Sequence, residues 1–269
     1  MPETPPGGCG LINRIKAVIL AGGKGTRISE ESVFRPKPMV EIGGQPILWH
    51  IIKRYAIYGV RDFVVCCGYK GYMIKEYFLR YPMRHSTIHM DMSTAQVISD
   101  ENEAEDWKVT LANTGLETLT AGRVRLIRRY VEGETFFLTY GDGIGDIDME
   151  ALLSCHRRSG KIITITVTKP EGRFGAVQLD EKSGTVYGFK EKARRDQMYV
   201  NAGFMVCEPA VFDYLGDGSE MLEAGPFERL ANDGEMNAYI HKGFWSPMDN
   251  IRDRDYLEGL ICGGQAVWL

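Results

Sequence analysis

The sequence lacks several patterns that would each have settled a function class. It contains no Cys-x-x-Cys pair and no Gly-x-x-x-x-Gly-Lys-Ser/Thr run. The second absence excludes a P-loop. Its six cysteines are scattered at 9, 66, 67, 155, 207 and 262, so neither a disulfide framework nor a thiolate zinc site is implied. Cys66 and Cys67 adjoin within an apolar run and would face opposite sides of a strand. They read as buried reduced thiols of a cytoplasmic protein. The five histidines are read as holding no zinc site. No apolar run approaches the roughly 18 residues of a membrane span. There is no basic excess either: 32 Lys and Arg stand against 36 Asp and Glu, a net charge of −4. A nucleic-acid polyanion is therefore not an expected partner, and any phosphate binding must be local. The stretch 1–10, dominated by Pro and Gly, has no basic start and no apolar centre. Residues 1–14 are expected to be a disordered extension rather than a signal peptide.

What is present is an α/β pattern. The 269 residues, 44% hydrophobic and 25% charged, suffice for a large core. Ile15-Lys16-Ala17-Val18-Ile19-Leu20 reads as a buried parallel strand. It runs into Leu20-Ala21-Gly22-Gly23-Lys24-Gly25-Thr26-Arg27. A glycine-rich turn leaving such a strand lets backbone N–H groups approach an anion closely, and Arg27 and Lys37 add two cations. The loop is a poor dinucleotide fingerprint, because Gly23-Lys24-Gly25-Thr26-Arg27-Ile28 ends in Ile where a third glycine belongs. In Arg35-Pro36-Lys37-Pro38 each proline biases the preceding residue to extended backbone, which would hold Lys37 on a stiff arm. Residues 46–58 read as a helix, 63–67 as a strand, and 73–81 as a second helix stopped by Pro82. Strand-helix-strand-helix order implies right-handed βαβ units. Possible strands follow at 88–92 and 107–111, with an acidic loop at 100–106 between them. Polar turns are expected at 113–115 and 118–123, then a helix over 124–131. Further strands are expected at 135–140, 162–168, 186–189 and 199–206, and a helix over 149–158 capped by Asp148.

Asp142, in Gly141-Asp142-Gly143, stands at the carboxyl end of the most strand-like segment, where ligands sit in open α/β sheets. Asp249 precedes a C-terminal helix and could serve as its N-cap. Alternatively, Asp142 and Asp249 could meet on one Mg²⁺, which needs only one or two carboxylates beside phosphate oxygens. Lys192 and Asn201 sit at strand margins, where polar groups can face a small ligand. A polyphosphate cradle without a Walker signature points to attack at an inner phosphorus. The missing Ser-His-Asp set suits a phosphate monoester as attacking group, because it is already anionic.

Leu20 to Arg27 with Lys37-Pro38 resembles the signature of the sugar-1-phosphate nucleotidyltransferases. The likeness extends through Lys37 to Gly44, Cys66 to Gly71, Tyr140 to Gly143, and Phe244 to Asp249. The resemblance implies a Rossmann-like, mostly parallel sheet flanked by helices, with a small β-rich sugar-binding portion, forming one catalytic domain over 15–269. It implies CTP and glucose 1-phosphate as substrates, Mg²⁺ as cofactor, a trimeric or hexameric homo-oligomer, and a role in bacterial surface-polysaccharide synthesis through 3,6-dideoxyhexoses. UTP, dTTP or GTP in place of CTP, or a non-catalytic sugar-nucleotide-binding subunit, remain alternatives. By the same resemblance Gly22, Gly23 and Gly25 give backbone donors, Arg27 holds the β- and γ-phosphates, and Lys37 the α-phosphate. Asp142 and Asp249 hold the metal. Thr118 and Arg123 belong to the segment closing over the base, and Gly141 lies against the nucleotide. Glu191, Lys192 and Asn201 fall on the sugar-phosphate side. Lys24 departs from the family pattern, where Leu is common.

Overall fold

Strand alternation builds the molecule in three layers, because each central strand is apolar on both faces. A computed structural model describes residues 12–25, 34–131, 133–169, 176–180, 182–190 and 199–269. Seven strands form one sheet: β1 (Ala17–Ala21), β2 (Asp62–Cys67), β3 (Lys108–Asn113), β4 (Phe136–Tyr140), β5 (Ile163–Thr168), β6 (Val200–Cys207) and β7 (Met236–Ile240). Their order is β7-β5-β6-β4-β1-β2-β3. Only β6 runs antiparallel to its neighbours, so the sheet is mixed and mostly parallel, as expected. The described helices of seven or more residues are α1 (Ile47–Ile57), α2 (Gly71–Arg84), α3 (Thr120–Leu126), α4 (Met149–Ser159), α5 (Pro226–Asn232) and α6 (Ile251–Cys262). The helix expected over 124–131 is broken at Ile127, after which Arg128–Val131 forms a separate short helix. Ile19, Phe63, Phe137 and Phe204 belong to one core with residues of α1, α2 and α4; Val18, Val64, Leu138 and Met205 belong to the other with α3 and α5. Cys66 and Cys67 divide between the two cores, as alternation requires. Burial raises both thiols, Cys67 to about 11, which keeps them protonated and inert. No described helix is long and apolar enough to cross a membrane.

Several expectations need correction. Of the residues 1–14 read as a disordered extension, Ile12–Arg14 form a 3₁₀ turn with Ile12 buried in the core, and residues 1–11 lie outside the described residues. Pro82 does not stop the second helix but lies inside α2. A proline near a helix end forfeits one hydrogen bond, and Tyr81, stacked on Trp107 and His85, packs the last turn in place. The polar turn expected at 118–123 is instead the start of α3, whose buried face includes Ala121, Gly122 and Val124. Lys37 is not extended; it opens a 3₁₀ turn over Lys37–Met39, in which Pro38 needs no N–H. His85 and His89 are four residues apart but share no helix face: His85 follows α2, and His89 lies on the exposed hairpin Thr87–Asp91/Gln96–Asp100. Asp148 does cap α4, accepting from the Ala151 N–H at 2.9 Å.

Two buried histidines set an acid limit on this fold. His50 Nε2 donates to the Ile42 carbonyl, and its Nδ1 accepts from the Trp268 indole. His156 lies between Thr164 and Glu208. Burial lowers the pKa of both below the ordinary value, so the neutral forms belong to the folded state. Their contribution is present above the ordinary histidine value of about 6.5 and lost as pH falls through their lower folded values. Unfolding free energies from urea titrations between pH 7.5 and 5 are expected to decline below pH 6.5, by up to about 1.4 kcal/mol per pH unit for each group. His50→Gln should flatten that slope.

Candidate active site

Three parallel strands end side by side at the site, and a single arginine ties their ends together. Arg123, 3% exposed, projects from α3. Its Nη1 donates to Thr114 Oγ1 (2.7 Å) and the Gly115 carbonyl (2.8 Å) beyond β3. Its Nη2 donates to the Gly22 carbonyl (2.9 Å) beyond β1 and the Leu116 carbonyl (3.3 Å). The Gly22 carbonyl also accepts from the Tyr69 N–H beyond β2 at 3.0 Å. Gly22 is glycine for a steric reason: a Cβ there would lie 2.2 Å from Arg123 Nη1. Gly23, by contrast, has open space around its Cβ position. The glycine turn thus rests on a buried guanidinium and faces a cleft of about 680 Å³.

Across that cleft, Lys37 Nζ donates to Asp142 Oδ2 and to Asp249 Oδ1, both at 2.7 Å. Asp142 follows β4 directly. Asp249 follows a short strand, Trp245–Pro247, which pairs antiparallel with Gly143–Gly145. Helix α6 is capped by Asn250, not Asp249: Asn250 Oδ1 accepts from the Asp253 N–H, while Asp253 accepts from the N–H groups of 249 and 250. The Asp249 carboxylate is thereby left to the cleft. Burial works against the Lys37 charge, but the two carboxylates outweigh it and raise its pKa. Lys37 therefore stays charged until pH rises through that raised value, above the ordinary 10.5.

Residues 16–253 match the sequence profile of the family described as nucleotidyl transferase. The chain belongs to that family. A Salmonella typhimurium (strain LT2) protein named glucose-1-phosphate cytidylyltransferase is 48% identical over 94% of this chain and 98% of its own length. A Bacillus subtilis (strain 168) protein named a probable glucose-1-phosphate cytidylyltransferase is 44% identical over 94% of this chain and 99% of its own. Among solved structures, HddC from Yersinia pseudotuberculosis, complexed with GMP-PN, superposes with a TM-score of 0.72 at 21% identity, over 92% of this chain and 99% of that one. That likeness is one of fold.

In this nucleotidyl transferase, the residues singled out from sequence gather unevenly. Leu20 to Gly25, Lys37, Thr118, Arg123, Gly141, Asp142, Asn201 and Asp249 all line the cleft. Thr26, Arg27, Glu191 and Lys192 lie outside the described residues. Arg123 makes its bonds to protein carbonyls and Thr114, so it orders the loops beneath the ligand space. Gly141 packs close to the Leu20 carbonyl and Pro38, where a Cβ would come within 2.9 Å and 3.2 Å. The departure at Lys24 is matched by Glu117 at 2.7 Å, an exposed pair across the cleft mouth. Tyr140, Glu223 and Trp245 are among the lining residues that the sequence does not single out as site residues. Tyr140 donates its hydroxyl to Glu223, and Trp245 donates from Nε1 to the Ala202 carbonyl at 2.8 Å. Tyr140 and Trp245 lie in stretches that carry the family resemblance, Tyr140 to Gly143 and Phe244 to Asp249; nothing local marks Glu223.

The two glycines of the turn are separable by experiment. Gly22→Ala should displace Arg123, costing about 2 kcal/mol or more, as expected for disturbing a buried charge-assisted network. Gly23→Ala should leave the urea midpoint nearly unchanged.

Proposed function

We propose that the protein transfers the cytidylyl group of CTP to α-D-glucose 1-phosphate, giving CDP-glucose and pyrophosphate. The substrates are those named for the Salmonella relative, which is 48% identical over nearly the whole chain. The observation that carries the chemistry is the convergence of Lys37, Asp142 and Asp249 opposite the glycine turn. A phosphate oxygen of the sugar forms a bond to the α-phosphorus of CTP. The bond from that phosphorus to the bridging oxygen breaks, and pyrophosphate leaves with the electron pair. The attacking oxygen is already anionic, so no residue has to remove a proton from it.

The donor set fits Mg²⁺: two hard carboxylate oxygens share one neighbouring atom, and among the described residues no group of three or more His, Cys, Asp and Glu side chains could form a closed cage. Mg²⁺ prefers such partial sites, completed by phosphate oxygens and water. Asp142 and Asp249 would hold the ion, which supplies charge neutralisation at the phosphoryl oxygens. Lys37 supplies a cation for the α-phosphate as the leaving bond breaks. The backbone of Gly22, Gly23 and Gly25, with Arg27, receives the triphosphate. Thr118 closes on the base side, while Glu191, Lys192 and Asn201 take the sugar phosphate. A homo-oligomeric enzyme of bacterial surface-polysaccharide synthesis is part of this reading, on the resemblance alone.

Pyrophosphate release with glucose 1-phosphate and Mg²⁺ should be fast with CTP and at least tenfold slower with UTP, dTTP, GTP or ATP. Equal turnover with another nucleotide would replace the cytidylyl assignment. Asp142→Asn and Asp249→Asn should each lower kcat by about 10²–10³-fold, the scale on which removal of one electrostatic stabiliser is felt, with unchanged far-UV circular dichroism.

A further inference from the structure

The two carboxylates sit at one end of a short two-stranded ribbon, and a third acidic residue closes its other end. At the near end the Met248 N–H donates to the Asp142 carbonyl at 2.8 Å. Between the ends, Gly143, Ile144 and Gly145 pair with Pro247, Ser246 and Trp245. At the far end the Asp146 N–H donates to the Phe244 carbonyl at 3.1 Å. There His241, 7% exposed, meets the ribbon. Its Nε2 lies 3.1 Å from the same Phe244 carbonyl and 3.0 Å from Asp146 Oδ1. Both contacts are acceptors, so Nε2 carries the proton. That one N–H is directed at the carbonyl, and Asp146 Oδ1 is buried with no hydrogen-bond donor of its own. Gly243 makes the corner possible, since a Cβ there would fall 2.4 Å from Asp146 Oδ1 and 2.8 Å from His241 Cε1.

His241 is also joined to the main sheet. It follows β7 immediately, and its backbone N–H donates to the Val167 carbonyl of β5 at 2.8 Å. The corner therefore links the sheet to the strand Trp245–Pro247, two residues before Asp249. Asp142 lies only two residues past the end of β4, so the sheet fixes its position more closely. Asp249 comes from the far part of the chain, and the register of the ribbon decides where its carboxylate stands. We propose that Asp146 and His241 are positioning residues for the Asp142–Asp249 pair, fixing the ribbon so that Asp249 is presented at the spacing a divalent cation requires.

This inference rests on reading Asp142 and Asp249 as metal ligands, and its test separates the two. Free Mn²⁺ is followed by electron paramagnetic resonance while the full-length protein, with CDP-glucose present, is titrated with Mn²⁺. Asp146→Ala and His241→Ala should raise the Mn²⁺ Kd about tenfold, the lower edge of what supporting-shell changes do to metal affinity. His241→Gln, which keeps an N–H donor for the Phe244 carbonyl, should restore most of the affinity. In all three the KM for CTP at saturating Mn²⁺ should stay within about twofold, which a general loss of folding would not produce. Asp146→Asn, closer in shape, serves if an alanine variant fails to fold. Mn²⁺ Kd values within twofold of wild type in Asp146→Ala and His241→Ala would overturn the positioning role. Wild-type Mn²⁺ binding by Asp249→Asn would instead overturn the metal reading itself.

Discussion

One ammonium nitrogen holds together carboxylates that the chain carries 105 and 212 residues away. Everything else at the site is arranged so that this contact can form. Lys37 must reach across from the turn after the glycine loop, Asp142 must leave the sheet at β4, and Asp249 must be returned by the ribbon. A lysine buried to this degree is disfavoured by desolvation. It persists charged because two acceptors surround it, and the raised pKa records that the attraction wins. The converse also holds. Two carboxylates this close repel each other and need a cation between or beside them. Lysine satisfies that need within the chain, and the proposed metal would satisfy it with substrate bound.

Arg123 plays the matching part on the opposite wall. Its charge is buried among carbonyls and one hydroxyl, with no carboxylate among its hydrogen-bond partners in the described residues. Three carbonyls and a hydroxyl accept from its two terminal nitrogens, which holds the guanidinium without a counter-charge. The benefit is geometric: the turns after β1 and β3 share one anchor, and the turn after β2 joins through Gly22. A glycine loop that must hold backbone N–H groups toward an anion gains from such an anchor, because preorganised donors need no reorganisation when charge develops.

The sequence exposed the pieces more readily than their relations. Local composition was enough for β1, the glycine turn, β4 with Asp142, and α4 with its Asp148 cap, since each is written in adjacent residues. Lys37 was misread locally, because proline at 38 biases residue 37 toward extension while the fold uses that proline inside a 3₁₀ turn. Asp249 was offered as a cap, yet Asn250 with Asp253 three residues on is the stronger capping pattern. The role of Arg123 was hidden for a different reason. A basic residue near glycines suggests ligand contact, and only the early start of α3 at Thr120 shows that the side chain turns inward. α5 and β7 went unread altogether, and with them the corner that His241 makes.

Charge at the cleft gives the strongest physical ground for a bound cation. Among the described lining residues, Lys24, Lys37 and Arg123 stand against Glu117, Asp142, Glu223 and Asp249. Three cationic side chains face four carboxylates, and Lys24 is already paired with Glu117 at the rim. A nucleoside triphosphate and a sugar phosphate bring several more negative charges. Desolvated phosphates in a cleft whose described lining is itself acidic would be repelled, by several kcal/mol at close range in a low-dielectric setting. Either side chains beyond this set, Arg27 and Lys192 foremost, or a divalent ion on the acidic pair must reverse that sign. Lys37 offsets only one of the two charges on Asp142 and Asp249, and the proposed divalent ion on those carboxylates would remove the remaining repulsion at its source.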